Sequence, residues 1–211
     1  MCSHLGTPAS PQSATRSFNR CKDIPLPAPD LLPRNAGRVI LRRLEPADLP
    51  DFQAYRQDED LGRFQGWVPT PDSEALDYLR HMHGTELLRP GAWCQIGIAD
   101  AASLVLIGDI GLFIASDGGH AEIGFTLSRE AQGRGLATAA VRAAIALVFE
   151  HTRVERVLAM ADARNLPSVR LLERVGMQRI ETRDTEFRGE PCVEHVYAAS
   201  RTSGAGERGP D

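Results

Sequence analysis

Apolar positions change their period several times between residues 38 and 198, and each change marks an element. Arg38–Leu44 alternates and reads as a strand. Glu45-Pro46-Ala47-Asp48 then caps a helix running to about Asp58, and Glu74–His83 reads as a second helix with Leu76, Tyr78 and Leu79 apolar. Trp93–Ile98 and Leu104–Ile114 read as strands. Asp117-Gly118-Gly119 is a hairpin signal, and Ala121–Ser128 is the return strand. The period then lengthens over Thr138–Glu150. Leu136, Ala140, Ala143, Ala144, Leu147 and Val148 share one helical face, and the alanines let that helix lie close to a sheet. Val154–Met160 reads as a buried strand. Asn165-Leu166-Pro167-Ser168 opens a short helix that Gly176 ends. Arg179–Ala198 reads as two strands joined at Arg188-Gly189-Glu190. A hairpin meander first and alternating helices later predict a mixed α/β sheet of α+β type, not a doubly wound parallel one.

Composition sets the limits of that domain. Residues 1–36 are rich in Ser, Thr, Pro, Asn and Ala, lack an apolar period, and carry Pro25, Pro27, Pro29 and Pro33. They are expected to form a disordered or loosely attached tail, as is 201–211, which leaves one folded domain over 37–200. The chain has 211 residues, 42% of them hydrophobic, enough for one full core. A net charge of −4 favours no nucleic acid partner. No apolar run approaches the ~20 residues of a membrane span. The N-terminus lacks the apolar core of a secretion signal, and Asp23 interrupts the basic Arg16, Arg20 and Lys22. Cys2, Cys21, Cys94 and Cys192 show neither C-x-x-C nor zinc spacing. Reduced thiols in a cytoplasmic protein without a metal are expected.

One turn carries chemistry. Gln132-Gly133-Arg134-Gly135-Leu136-Ala137 stands between a strand and a helix start. Glycines let a backbone approach a phosphate, and the free N–H groups of a first helical turn point at it. A nucleoside triphosphate loop needs a Lys after its last glycine, and none follows here. A dinucleotide fingerprint needs a third glycine where Thr138 stands. A helix start that merely carries glycines is the remaining alternative.

Gln132-x-x-Gly135-x-Ala137 resembles the Q/R-x-x-G-x-G/A signature of the GNAT (Gcn5-related) N-acetyltransferases. The elements around it follow that family's order. Asn165-x-x-Ser168 and Leu171-Leu172-Glu173-Arg174-Val175-Gly176-Met177 resemble later family segments. Val39-Ile40-Leu41-Arg42-Arg43-Leu44 with Pro46-Ala47-Asp48 resembles the opening of the ribosomal-protein acetyltransferase (RimJ/RimL-like) branch. The resemblance spans roughly 38–198. It implies a mostly antiparallel sheet of about six to seven strands, splayed in the middle and flanked by about four helices. It also implies acetyl-CoA as co-substrate.

The same resemblance implies roles. Backbone N–H groups over Gln132, Gly133, Arg134, Gly135, Leu136, Ala137 and Thr138 hold the pyrophosphate. Arg134 adds charge there or is a solvated turn residue. The main chain of Phe125, Thr126 and Leu127 pairs with the pantetheine arm. Asn165 bonds the pantetheine amides, caps its helix, or does both. Ser168 protonates the leaving thiolate or is a first-turn serine. An ammonium must lose a proton before it attacks, so a base is needed, and Glu186 and Glu122 are the acidic candidates. Cys94 and Cys192 lack the surroundings of an acyl carrier, which favours direct transfer in a ternary complex.

The acceptor groove is expected from residues 50–90 and 180–195. Tyr55, Phe64, Trp67 and Tyr78 are available to line it, and Asp58, Glu59 and Asp60 to attract a cation. The acceptor is a protein N-terminus or a small amine, with an amino acid or aminoglycoside as the alternative. A silent acyl-CoA-binding module is the other reading. A monomer or homodimer is expected.

Overall fold

A computed structural model describes residues 30–201. Cys2, Cys21 and the basic positions before Asp23 lie outside the described residues, as does most of both expected tails. Eight strands form one sheet: β1 (Arg34–Ala36), β2 (Val39–Arg43), β3 (Trp93–Asp100), β4 (Leu106–Ile114), β5 (Ala121–Leu127), β6 (Arg156–Asp162), β7 (Gln178–Phe187) and β8 (Glu190–Ser200). Their order is β1-β2-β3-β4-β5-β6-β8-β7. Every neighbouring pair is antiparallel except β5–β6. The five α-helices among the described residues are α1 (Leu49–Arg56), α2 (Glu59–Gly62), α3 (Asp72–Gly84), α4 (Leu136–His151) and α5 (Leu166–Val175).

Two expectations are corrected. The sheet has eight strands where six to seven were expected. The extra one is β1, inside the stretch assigned to the tail. Arg34↔Leu41 and Ala36↔Val39 pair across the Gly37 turn, and Leu32 is buried beside them. Five helices replace about four, because the helix expected to reach Asp58 stops at Arg56. Asp58 then caps α2 by accepting a hydrogen bond from the Leu61 N–H at 3.1 Å. A four-residue helix is too short to leave a period in the sequence.

The strand period sorts the two faces. Ile110 and Leu112 of β4 and Ile123 of β5 join the larger core with Leu136, Ala140, Val141, Ala144 and Val148 of α4. Ala140 and Ala144 are fully covered, so α4 lies flat on the sheet as its alanines predict. Asp109, between Gly108 and Ile110, faces the other way, toward α1. There Leu44, Phe52, Tyr55, Ala75, Leu79 and Leu106 form a second core under α1 and α3.

Asp109 is the most buried carboxylate in that layer. It accepts hydrogen bonds from Tyr55 Oη at 2.5 Å, Gln95 Nε2 at 2.6 Å and Arg56 Nη2 at 2.8 Å. The Arg56 guanidinium also lies over the rings of Phe52 and Trp67, 4.8 and 4.7 Å from their centroids. Burial and the Asp109 charge together hold the Tyr55 hydroxyl well above its ordinary pKa, so it remains a donor.

Candidate active site

The sheet parts between β5 and β6. Only Ala121↔Val157 and Glu122↔Leu158 pair before the two strands diverge. Beyond that vertex, one edge of β5 has no strand beside it. Alternate residues of an antiparallel strand aim their main-chain groups at one neighbour. The carbonyls of Phe125 and Leu127 accordingly point away from β4 and accept from side chains, Gln65 Nε2 at 3.4 Å and Gln132 Nε2 at 2.9 Å.

The glycine turn closes one end of this opening. Gly133 and Gly135 adopt φ of +72° and +78°, a region that favours glycine. The Arg129–Ala131 turn precedes them, and Gly135 stands directly before α4. The first helical hydrogen bond runs from Ala139 N–H to Gly135 O at 3.2 Å. The N–H groups of Leu136, Ala137 and Thr138 therefore have no acceptor one turn back. They face a cleft of about 740 Å³ lined also by Phe125, Thr126, Leu127, Gln132, Gly133, Gly135, Asn165 and Ser168.

Arg134 is the exception in that set. Its side chain is exposed and outside the cleft lining, and its carbonyl accepts from Arg38 Nη1 at 3.3 Å. Arg129 lines the cleft but is occupied by Asp58 and Asp60. Its guanidinium holds the Asp58 carboxyl down to a pKa of about 2. Asn165 caps α5, its Oδ1 accepting from the Ser168 N–H at 3.3 Å. That bond uses the amide oxygen and leaves the NH₂ group to serve the cleft, so both expected uses are compatible.

The acidic candidates separate. Glu122 belongs to the last paired position before the strands part, with His120 Nε2 3.5 Å from its carboxylate. Glu186 is exposed near the far end of β7, opposite Pro191, and neither it nor Glu122 lines either cleft. Cys94 is buried, and burial pushes its thiol up, against nucleophilic use.

A second cleft, of about 550 Å³, adjoins the first. Glu59, Asp60, Arg63, Phe64 and Trp67 come from α2 and the loop after it, and Arg164, Phe187, Arg188 and Glu190 from the opposite side. Asp60 and Phe64 line both clefts. All of this lining but Arg164 lies in the segments 50–90 and 180–195, with Phe64 and Trp67 among the residues named there. Gln65 and Arg188 carry no local signal because their partners lie far away in sequence, whereas Arg164 pairs with Asp162 two residues before it. Tyr55 and Tyr78 belong instead to the second core.

A model of the acetyltransferase (GNAT) domain family matches residues 38–178. The chain belongs to the GNAT acetyltransferase family. This GNAT protein is an acetyl-CoA-dependent N-acetyltransferase, as the resemblance in sequence implied. It is 28% identical over 144 residues to the uncharacterized N-acetyltransferase p20 of Bacillus licheniformis, covering 67% of this chain and 80% of that protein. Among solved structures, it is similar to spermidine N-acetyltransferase from Vibrio cholerae in complex with CoA and spermine. The TM-score is 0.64 at 22% identity, covering 76% of this chain and 94% of the other. The ribosomal L7/L12 alpha-N-protein acetyltransferase RimL is similar at a TM-score of 0.65 and 16% identity, covering 81% and 99%. No described helix is long and apolar enough to cross a membrane.

Proposed function

We propose that this protein transfers an acetyl group from acetyl-CoA to a single primary amine flanked by a carbonyl or carboxylate. A protein N-terminus and a free amino acid are of that kind. The observation that carries the reading is the mixed charge of the second cleft. Glu59 and Glu190 suit an ammonium, as does Asp60 beside Arg129, but Arg63 and Arg188 line the same space, along with Arg164, which Asp162 holds. A polyamine or aminoglycoside brings several positive charges and would meet those arginines. An amine beside a carbonyl or carboxylate satisfies both signs. The RimJ/RimL-like opening at Val39–Asp48 supports the same class.

In this reading the N–H groups from Gly133 to Thr138 hold the pyrophosphate, and the free edge of β5 pairs with the pantetheine arm. Glu122, at the vertex of the splay, accepts the ammonium proton through water. The amine nitrogen then bonds to the thioester carbonyl carbon, the carbon–sulfur bond breaks, and Ser168 donates a proton to the thiolate and is restored by the proton that the new amide nitrogen loses. Glu122 is preferred to Glu186 because only Glu122 stands where the two strands part.

Release of free thiol from acetyl-CoA, measured across an acceptor panel, tests the function. Peptide N-termini or amino acids are expected to turn over faster than spermidine or an aminoglycoside. The reverse order overturns the acceptor assignment, and CoA binding with no thiol release from any amine identifies a silent binding module. Glu122→Gln is expected to lower kcat about a hundredfold, within the range of general-base effects, with CoA affinity unchanged. An unaltered kcat removes Glu122 from the mechanism.

A further inference from the structure

The two clefts share a wall, the segment from Gly62 to Trp67, and that wall is tied at three points. On the donor side, Gln65 Nε2 donates to the Phe125 carbonyl at 3.4 Å, on the free edge of β5. At its centre, Trp67 Nε1 donates to Thr126 Oγ1 at 3.3 Å. The Trp67 ring is pressed so closely on Gly62 that a Cβ there would stand 2.9 Å from it. On the acceptor side, Arg188 Nη2 donates to the main-chain carbonyls of Gln65 and Trp67, at 2.9 and 2.5 Å.

Arg188 has an unusual backbone for this task. With Gly189 it turns the β7–β8 hairpin at φ of +54° and +79°. Asn or Gly ordinarily occupies the first of these positions, since a side chain disfavours the left-handed region. Here an arginine occupies it, and its guanidinium reaches more than 120 residues back along the chain to grip two carbonyls.

We propose that Gln65 and Arg188 are positioning residues that make the acceptor cleft respond to the donor. The inference rests on the acetyl-CoA reading above. The Phe125 carbonyl belongs to the edge with which a pantetheine arm would pair, and Gln65 holds it from inside the donor cleft. Pairing of the arm releases the Gln65 amide. The Gln65 main chain is held by Arg188, so the release is transmitted to the hairpin tip, whose Phe187, Arg188 and Glu190 line the acceptor cleft. Trp67, between the two, changes surroundings in the same step. A coupling of this kind is reciprocal between the two ligands.

The chain has two tryptophans, so Trp93→Phe leaves Trp67 as the sole indole reporter. In that parent, CoA titrated calorimetrically is expected to shift Trp67 emission in parallel with the binding heat. Gln65→Ala, which removes the competitor for the Phe125 carbonyl, is expected to tighten CoA about fivefold, the worth of one neutral hydrogen bond. Arg188→Ala is expected to raise KM about tenfold for the best amine of the panel, with kcat within twofold, and Arg188→Lys to restore most of it. Thermal melts of each variant check that the fold persists. CoA heat without a Trp67 response, unchanged or weaker CoA binding in Gln65→Ala, or an unmoved KM in Arg188→Ala overturns the proposal. Absence of CoA heat in the parent overturns the donor reading itself, and this proposal with it.

Discussion

Replacing Gly135 by Glu is expected to abolish coenzyme A binding, weakening it at least a hundredfold in a calorimetric titration. Two effects add. At φ of +78° any Cβ is strained, by roughly 1 kcal/mol or more. A carboxylate also enters the space where the phosphates are expected, against the positive end of α4. Gly135→Ala separates the two effects. A Cβ at Gly135 meets no atom within 4 Å, so alanine brings backbone strain without blocking the cleft. It is expected to weaken CoA only about tenfold, an extra ~1.4 kcal/mol. Wild-type affinity in Gly135→Glu would show that the turn holds no phosphate.

The second large effect is on stability. Asp109→Ala is expected to cost about 3–5 kcal/mol, because it leaves the Arg56 charge buried without its counter-ion. Arg56 and Asp109 side chains are only 8% and 1% exposed, so solvent screens the pair little. For a domain of this size the loss corresponds to a fall in Tm of roughly 10 °C, measurable by calorimetry. The double substitution Arg56→Met with Asp109→Leu is expected to recover only part of it, since apolar residues remove both charges' desolvation costs but leave the Tyr55 hydroxyl and the Gln95 amide without their acceptor. Equal melting of Asp109→Ala and wild type would show that the pair contributes nothing to folding.

How much was legible in the sequence follows from how local each feature is. The stripe on α4 and the glycines at 133 and 135 act within a few residues of themselves, so pattern and turn chemistry located them. Asn165 was read as both cap and ligand because a cap bond is fixed by local spacing alone. β1 was hidden because three residues after a run of prolines carry no period, and its partner strand supplies its register. Glu122 and Glu186 were both acidic candidates, and which of them stands where the sheet parts depends on pairing between distant strands. Gln65, Trp67 and Arg188 act through contacts spanning 59 to 123 residues, which no local pattern encodes. The charge balance of the second cleft has the same origin, because its arginines come from three separate parts of the chain.

The brief pairing of β5 with β6 also has a mechanical meaning. Although the eight strands count as one sheet, the ladder between its halves is two residue pairs long. The sheet behaves less as a single plate than as two leaves on a hinge at Glu122 and Leu158. Stiffness across that hinge comes from elsewhere. Arg142 on α4 is bonded to the Arg174 carbonyl at the end of α5, and at the opposite margin the Arg188 grip joins the last hairpin to the loop after α2. Along the line where its two substrates are expected to meet, the halves are thus joined by little backbone pairing and by their shared core and a few arginines instead.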